Sequence, residues 1–237
     1  MLYSLGHPET FLYLLIGALL AWGVHVGAQR LVQARLAETK WLLQHRPGVA
    51  GFVDPFAAVA AVLGPASSGW TPTVEWAAFR GRKRPLITLL LAGPVANLVI
   101  GFVALIGFDQ WVGHLSAKAV FTAYGDNLGS FVDFAGLFGG GGAEAAAQRV
   151  LLSVALLQLI TAVISLIPLP PLEGGRLLFL FTPRSLGWQK AEYQLAERNI
   201  GLVILIVGLI RLGGFPPPFA YLADVVSHGL AVLSTQV

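Results

Sequence analysis

With 237 residues, of which 56% are hydrophobic and 11% charged, the chain carries far fewer charges than the roughly 25% of an ordinary water-soluble domain. So few charges exclude a soluble globular surface, and a formal net charge of +3 gives no basic excess of the kind that marks a nucleic-acid partner. The absence of cysteine excludes a disulfide framework and thiolate metal sites, and says little about compartment.

Apolar blocks of about 18 or more residues without charge match the hydrocarbon thickness of a bilayer and read as membrane-spanning helices. The first covers 11–29; it has no formal charge, contains the titratable His25, and ends at Arg30. A secretory signal is disfavoured, because no basic segment precedes the run and no small-residue cleavage site follows it. A polar stretch, 30–46, leads to 49–63, which is apolar but broken by Asp54-Pro55. That segment is too short to cross comfortably and predicts a re-entrant or interfacial piece. The second span is 85–108. Residues 109–149 read as a mixed loop, in which Gly139-Gly140-Gly141-Gly142 favours flexibility over packing. The third span is 150–169, the apolar centre of a fourth is 200–210, and 219–233 reads as a weak terminal helix containing Asp224 and His228. The predicted fold is an all-α integral membrane protein, a polytopic helical bundle of about four to six membrane segments with one re-entrant or interfacial segment. It forms a single membrane domain over 1–237 with no internal repeat.

Charge orients the spans. Arg30, Arg35, Lys40, Arg46, Arg80, Arg82, Lys83 and Arg84 precede the second span, whereas the loop after it has only Lys118 and Arg149. By the positive-inside rule 30–84 faces the cytoplasm and the N-terminus lies outside. Arg176, Arg184, Lys190 and Arg198 place 170–198 on the cytoplasmic side by the same count.

This orientation puts His25 and Gln29 at the cytoplasmic end of the first span and Glu173 just beyond that end of the third. His25 and Gln29 are four residues apart and share a helical face. An ionisable residue inside a membrane segment is by default a functional candidate, since leaving it unpaired in lipid costs several kcal/mol. The plainer alternative is that His25 makes one hydrogen bond to a neighbouring helix. Residue types and spacing leave the two open.

Two motifs narrow the choice. Leu91-Ala92-Gly93-Pro94-Val95-Ala96-Asn97 resembles the Gly-Pro-x-x-Asn signature of the site-2 proteases, which are intramembrane zinc metalloproteases. The run from Ser165 through Pro168, Pro170, Pro171 and Leu172 to Glu173-Gly174-Gly175-Arg176 resembles their Asn-x-x-Pro-x-Pro-x-Leu-Asp-Gly motif, which supplies the third metal ligand. Asp54-Pro55-Phe56 and Gly69-Trp70-Thr71-Pro72 resemble the segment that connects the family's catalytic helices. The resemblance covers about 10–185 and leaves 199–237 as accessory C-terminal helices.

The family places His-Glu-x-x-His on the first of these helices, with two imidazoles on zinc and the glutamate as general base. Here that position reads His25-Val26-Gly27-Ala28-Gln29. Val26 has no proton-accepting atom, Gln29 offers a neutral amide, Glu173 replaces an aspartate and Ser165 an asparagine. His25, Gln29 and Glu173 would make a poor zinc set. General-base assistance alone contributes about 10²–10⁴ in rate, and without the metal the activation of water is lost too. The resemblance therefore implies a pseudoenzyme: no catalytic residue and no cofactor are expected, and zinc belongs to the alternative of an active protease with atypical ligands. Gly93, Pro94, Asn97, Pro170 and Pro171 would line a retained groove for a substrate or partner strand. The expected role is a structural or binding subunit for other integral membrane proteins, with the lipid bilayer as surroundings. A transport role lacks the several buried charges that usually line an ion path.

Overall fold

A computed structural model of the protein describes residues 8–36, 83–113, 142–170, 172–183, 185–198 and 200–209, together with 225 and 229. Every regular element among them is helical: α1 (Pro8–Leu36), α2 (Lys83–Val112), α3 (Gly142–Ser165), α4 (Glu173–Phe181), α5 (Leu186–Glu192), a π-helical turn (Tyr193–Glu197) and α6 (Ile200–Leu209). Three stretches, Glu9–Leu36, Lys83–Val112 and Gly142–Ser165, are long and apolar enough to cross a membrane. The protein is an all-α membrane protein. The predicted segments 49–63 and 219–233, and Asp54-Pro55-Phe56, Trp70 and Pro171, lie outside the described residues or largely so.

The three long helices pack against one another, and α3 is the most enclosed. Leu152, Ala155, Leu156, Leu157, Leu159, Ile160 and Ile164 are all buried along it. On α1 and α2, by contrast, Leu12, Leu19, Leu31, Val95, Val99 and Val103 remain exposed. That distribution suits helices whose outer faces meet lipid tails, where apolar exposure carries no penalty. Interhelical approach is set by small residues. A Cβ at Gly17 would meet the Leu157 side chain and the Ser153 carbonyl at 2.8 Å; one at Gly101 would meet Leu159 at 2.9 Å and the Ala155 carbonyl at 3.0 Å. These contacts, with Glu9 beside Arg149 at 3.8 Å and Trp111 Nε1 donating to Glu144 Oε1 at 3.3 Å, fix the directions. Helices α1 and α3 run the same way, and α2 runs against both.

Two expectations are corrected. Residues 142–149, read as loop, form the start of α3, because Ala143 and Ala145–Ala147 are strong helix formers and the glycine tract gives way at Gly142, where φ is +75°. The third span, read as running to 169, ends as a helix at Ser165; Pro168 and Pro170 sit in successive turns, closed by Leu169 N–H donating to the Ile167 carbonyl (2.7 Å) and Leu172 N–H to the Leu169 carbonyl (3.0 Å). Those turns shift the chain sideways so that α4 starts beside α1, at His25, and continues in the direction of α1 and α3. The apolar side of α4 then packs, through Leu177 and Leu180, on Leu86, Leu89 and Leu90 of α2 and on Val32 and Leu36 of α1.

Candidate functional site

Three separate stretches deliver polar side chains to one buried point. Helix α1 supplies His25 and Gln29 from one face, the first turn of α4 supplies Glu173, and α2 supplies Asn97 from within its Pro94-containing stretch. Their side chains are 0%, 5%, 1% and 0% exposed, so each polar atom needs a protein partner.

The contacts join all four side chains. Asn97 Nδ2 lies 3.4 Å from His25 Nδ1, and His25 Nε2 lies 3.1 Å from Glu173 Oε1. Gln29 Nε2 donates to the same carboxylate oxygen at 3.3 Å. With Asn97 as donor to Nδ1, the ring proton is on Nε2 and is donated to Glu173. Glu173 Oε1 thus accepts two N–H groups, and the lone pair that a metal would need on Nε2 carries a hydrogen instead. The remaining approach, Gln29 Nε2 to His25 Nε2 at 3.3 Å, is then a contact between two donors. Turning the Asn97 amide by 180° exchanges its oxygen and nitrogen, which are nearly equivalent in shape. Its Oδ1, buried and without a hydrogen-bond partner as placed, would then accept Nδ1–H and free Nε2.

Gly93 makes the imidazole's position possible. A Cβ there would fall among Nε2, Cε1 and Cδ2 of His25, so any larger residue would displace the ring. Pro94, one residue on, is buried inside an uninterrupted helix and gives the Leu90 carbonyl no N–H to accept. Gly174 and Gly175 serve the same close packing at α4, where a Cβ would run into the Leu166 carbonyl or the Pro170 nitrogen. Arg176, one turn after Glu173, is pushed below its usual guanidinium range by burial, and the Glu173 charge opposes that shift. The Ser165 hydroxyl is turned back along α3, where it donates to the Thr161 carbonyl.

Of the residues singled out in the sequence, the structure thus brings together His25, Gln29, Glu173, Asn97 and Gly93. Val26 is buried beside them and has no acceptor. Pro170 is buried in the turn before α4, against Gly175 and Gly201. Sequence reading missed Gly93 as the floor beneath the imidazole, since only a tertiary contact shows it. It also missed the polar groups buried along the bundle, Asp109, Gln148, Ser153 and Gln158.

The donor chemistry does not fit a catalytic zinc. Such a site takes three strong ligands, commonly imidazole and carboxylate, and a water. Here one imidazole and one carboxylate are joined by a neutral amide. Among the described residues no group of three or more His, Cys, Asp or Glu side chains could hold a metal ion.

A polytopic helical membrane protein with Gly-Pro-x-x-Asn on one span, packed against a polar centre shared by two other elements, is the class that fold and site define. The family model for Peptidase family M50, the site-2 protease family, matches residues 18–208, and the chain belongs to that family. No curated protein and no solved structure matches it.

Proposed function

We propose that the protein is a catalytically inactive member of its family and serves as a structural or binding subunit for other integral membrane proteins. The observation that carries this reading is the run of hydrogen bonds from Asn97 through His25 to Glu173, with Gln29 on the same oxygen. Side chains that bond to one another stabilise a bundle without a metal, and Val26 offers no proton-accepting atom at the position where the family carries its base. The scaffold is retained: Gly93 and Pro94 still shape α2 around the imidazole, and the turns at Pro168 and Pro170 still deliver α4. In this reading the N-terminus lies outside, and 30–84 and 170–198 face the cytoplasm.

One observation favours the alternative of an active metalloprotease with atypical ligands. His25 Nε2, Glu173 Oε1 and the Gln29 amide nitrogen, whose place Oε1 would take if the amide were turned, stand 3.1–3.3 Å apart, close to the roughly 3.3 Å edge of a tetrahedral site with bonds of about 2.0–2.1 Å. Spacing alone therefore does not separate the two readings; donor strength and the missing base do. Purification in mild detergent followed by mass spectrometry discriminates them. A stable stoichiometric complex with another membrane protein supports the subunit reading, whereas stoichiometric zinc with cleaved membrane fragments overturns it.

A further inference from the structure

Away from the polar centre, the corner between α4 and α5 presents large apolar side chains in a place where a water-facing surface would not. Phe181 is 67% exposed, Leu186 85% and Trp188 40%, and α5 buries none of its residues. The corner is nevertheless held firmly. Trp188 packs edge-on against Phe179 with ring centroids 6.0 Å apart, and Thr182 Oγ1 donates to the Phe179 carbonyl at 3.0 Å. Lys83 Nζ donates to the Leu180 carbonyl at 2.9 Å. That bond pins the end of α4 level with the first residue of α2, where the membrane-crossing stretch begins. Two cations belong to this corner: Arg84 follows Lys83 at the start of α2, and Lys190 lies in the last turn of α5. Glu192 is the one carboxylate of α5, against Lys83, Arg84 and Lys190, so the basic groups are in excess.

Apolar and aromatic side chains beside lysine and arginine at the end of a bilayer-crossing helix are the composition of a surface that rests in the headgroup layer. Basic groups at such a height attract anionic lipid. We propose that the α4–α5 corner is an interfacial foot: Phe181, Leu186 and Trp188 enter the boundary between headgroups and acyl chains, while Arg84 and Lys190 bind anionic phospholipid headgroups. The continuity with α2 fixes the depth, and the charge complementarity selects the lipid. This holds whether or not the polar centre is catalytic.

The chain has no cysteine, so a single Leu186→Cys nitroxide label on the full protein reports the depth directly. In vesicles of phosphatidylcholine with phosphatidylglycerol, the label is expected to be relaxed by oxygen and shielded from a water-soluble nickel reagent. A label open to nickel overturns the proposal. A label shielded from both reagents also overturns it, in favour of a protein cover. For the lipid, native mass spectrometry compares the wild type with Arg84→Gln/Lys190→Gln, which leaves the Lys83 anchor in place. Phosphatidylglycerol retention should fall, by roughly fivefold in affinity per cation removed, with phosphatidylcholine unchanged. Equal retention in both proteins rules out the headgroup contact, and the label on the otherwise wild-type chain keeps the depth test valid if the double variant folds poorly.

Discussion

His25 and Glu173 are separated by 148 positions in the chain, yet Nε2 of one lies 3.1 Å from Oε1 of the other, with both side chains essentially out of solvent. Because Asn97 approaches the opposite ring nitrogen, the imidazole is held at both edges, and an Asn97 amide that presents its N–H groups to Nδ1 requires the ring proton on Nε2. Nitrogen NMR on labelled histidine should therefore show one buried residue as the Nε2–H tautomer. Replacing Asn97 with Asp puts an acceptor at Nδ1, and the proton should move there. An unchanged spectrum in Asn97→Asp would remove Asn97 as the residue that sets the tautomer.

Metal content gives the next prediction. After a mild chelator wash the purified protein should hold far less than one zinc per chain, and Val26→Ala should leave its cellular role intact. Val26→Glu, Gln29→His and Glu173→Asp together restore the family's groups and should regain metal affinity, which depends on ligand identity, geometry and outer contacts jointly. Each change alone should not.

The floor beneath the imidazole should be intolerant. Gly93→Ala places a methyl among the His25 ring atoms, and overpacking of this kind typically destabilises by about 1–3 kcal/mol. Gly107, on the same helix, has nothing within 4 Å of where a Cβ would stand. Gly107→Ala should be neutral or slightly stabilising, since alanine is the better helix former by about 1 kcal/mol. Thermal unfolding in detergent compares the pair, and equal transition temperatures would show that Gly93 is not a tight position.

Glu173→Gln retains an oxygen for the His25 and Gln29 N–H groups and should leave the fold close to wild type, because interhelical hydrogen bonds in membranes average about 0.6 kcal/mol. Glu173→Leu strands both donors in a buried setting, a loss of roughly 1–3 kcal/mol. If the two variants unfold together, the carboxylate is not what satisfies those donors.

Orientation is tested with the same cysteine-free background. Single cysteines at Ser185 and at Gly140 should react with impermeant reagents from opposite sides, Ser185 from the cytoplasm. Labelling of Gly140→Cys from the cytoplasm would invert the assignment.

The three long helices were legible because a run of apolar residues needs no tertiary information to be recognised, and the shared face of His25 and Gln29 follows from helical spacing alone. The short helices α4 and α5, of nine and seven residues, were not. They lie between prolines and carry too few turns for a periodicity to emerge. The start of α3 was hidden by the glycines before it, although Ala143–Ala147 already favoured helix. The turns at Pro168 and Pro170 depend on which carbonyls meet which N–H groups, and proline identity is compatible with extended chain as well. For the centre itself, nothing local to Gly93 says that a ring from another helix lies above it. That contact spans 68 residues of sequence and exists only in the packed bundle.

Gly17 and Gly101 hold α3 from two sides at one height, against the carbonyls of Ser153 and Ala155. Everything beyond that clamp is indexed from it. The α-helix turns about 100° and rises about 1.5 Å with each residue, so one residue deleted between Leu159 and Ser165 would rotate and draw back the whole stretch that follows. The clamp would be unaffected and the bundle would still assemble, but Glu173 would arrive on a different azimuth from His25. The length of half a helix, a quantity that no single side chain expresses, is therefore as specific a determinant of the polar centre as the residues in it.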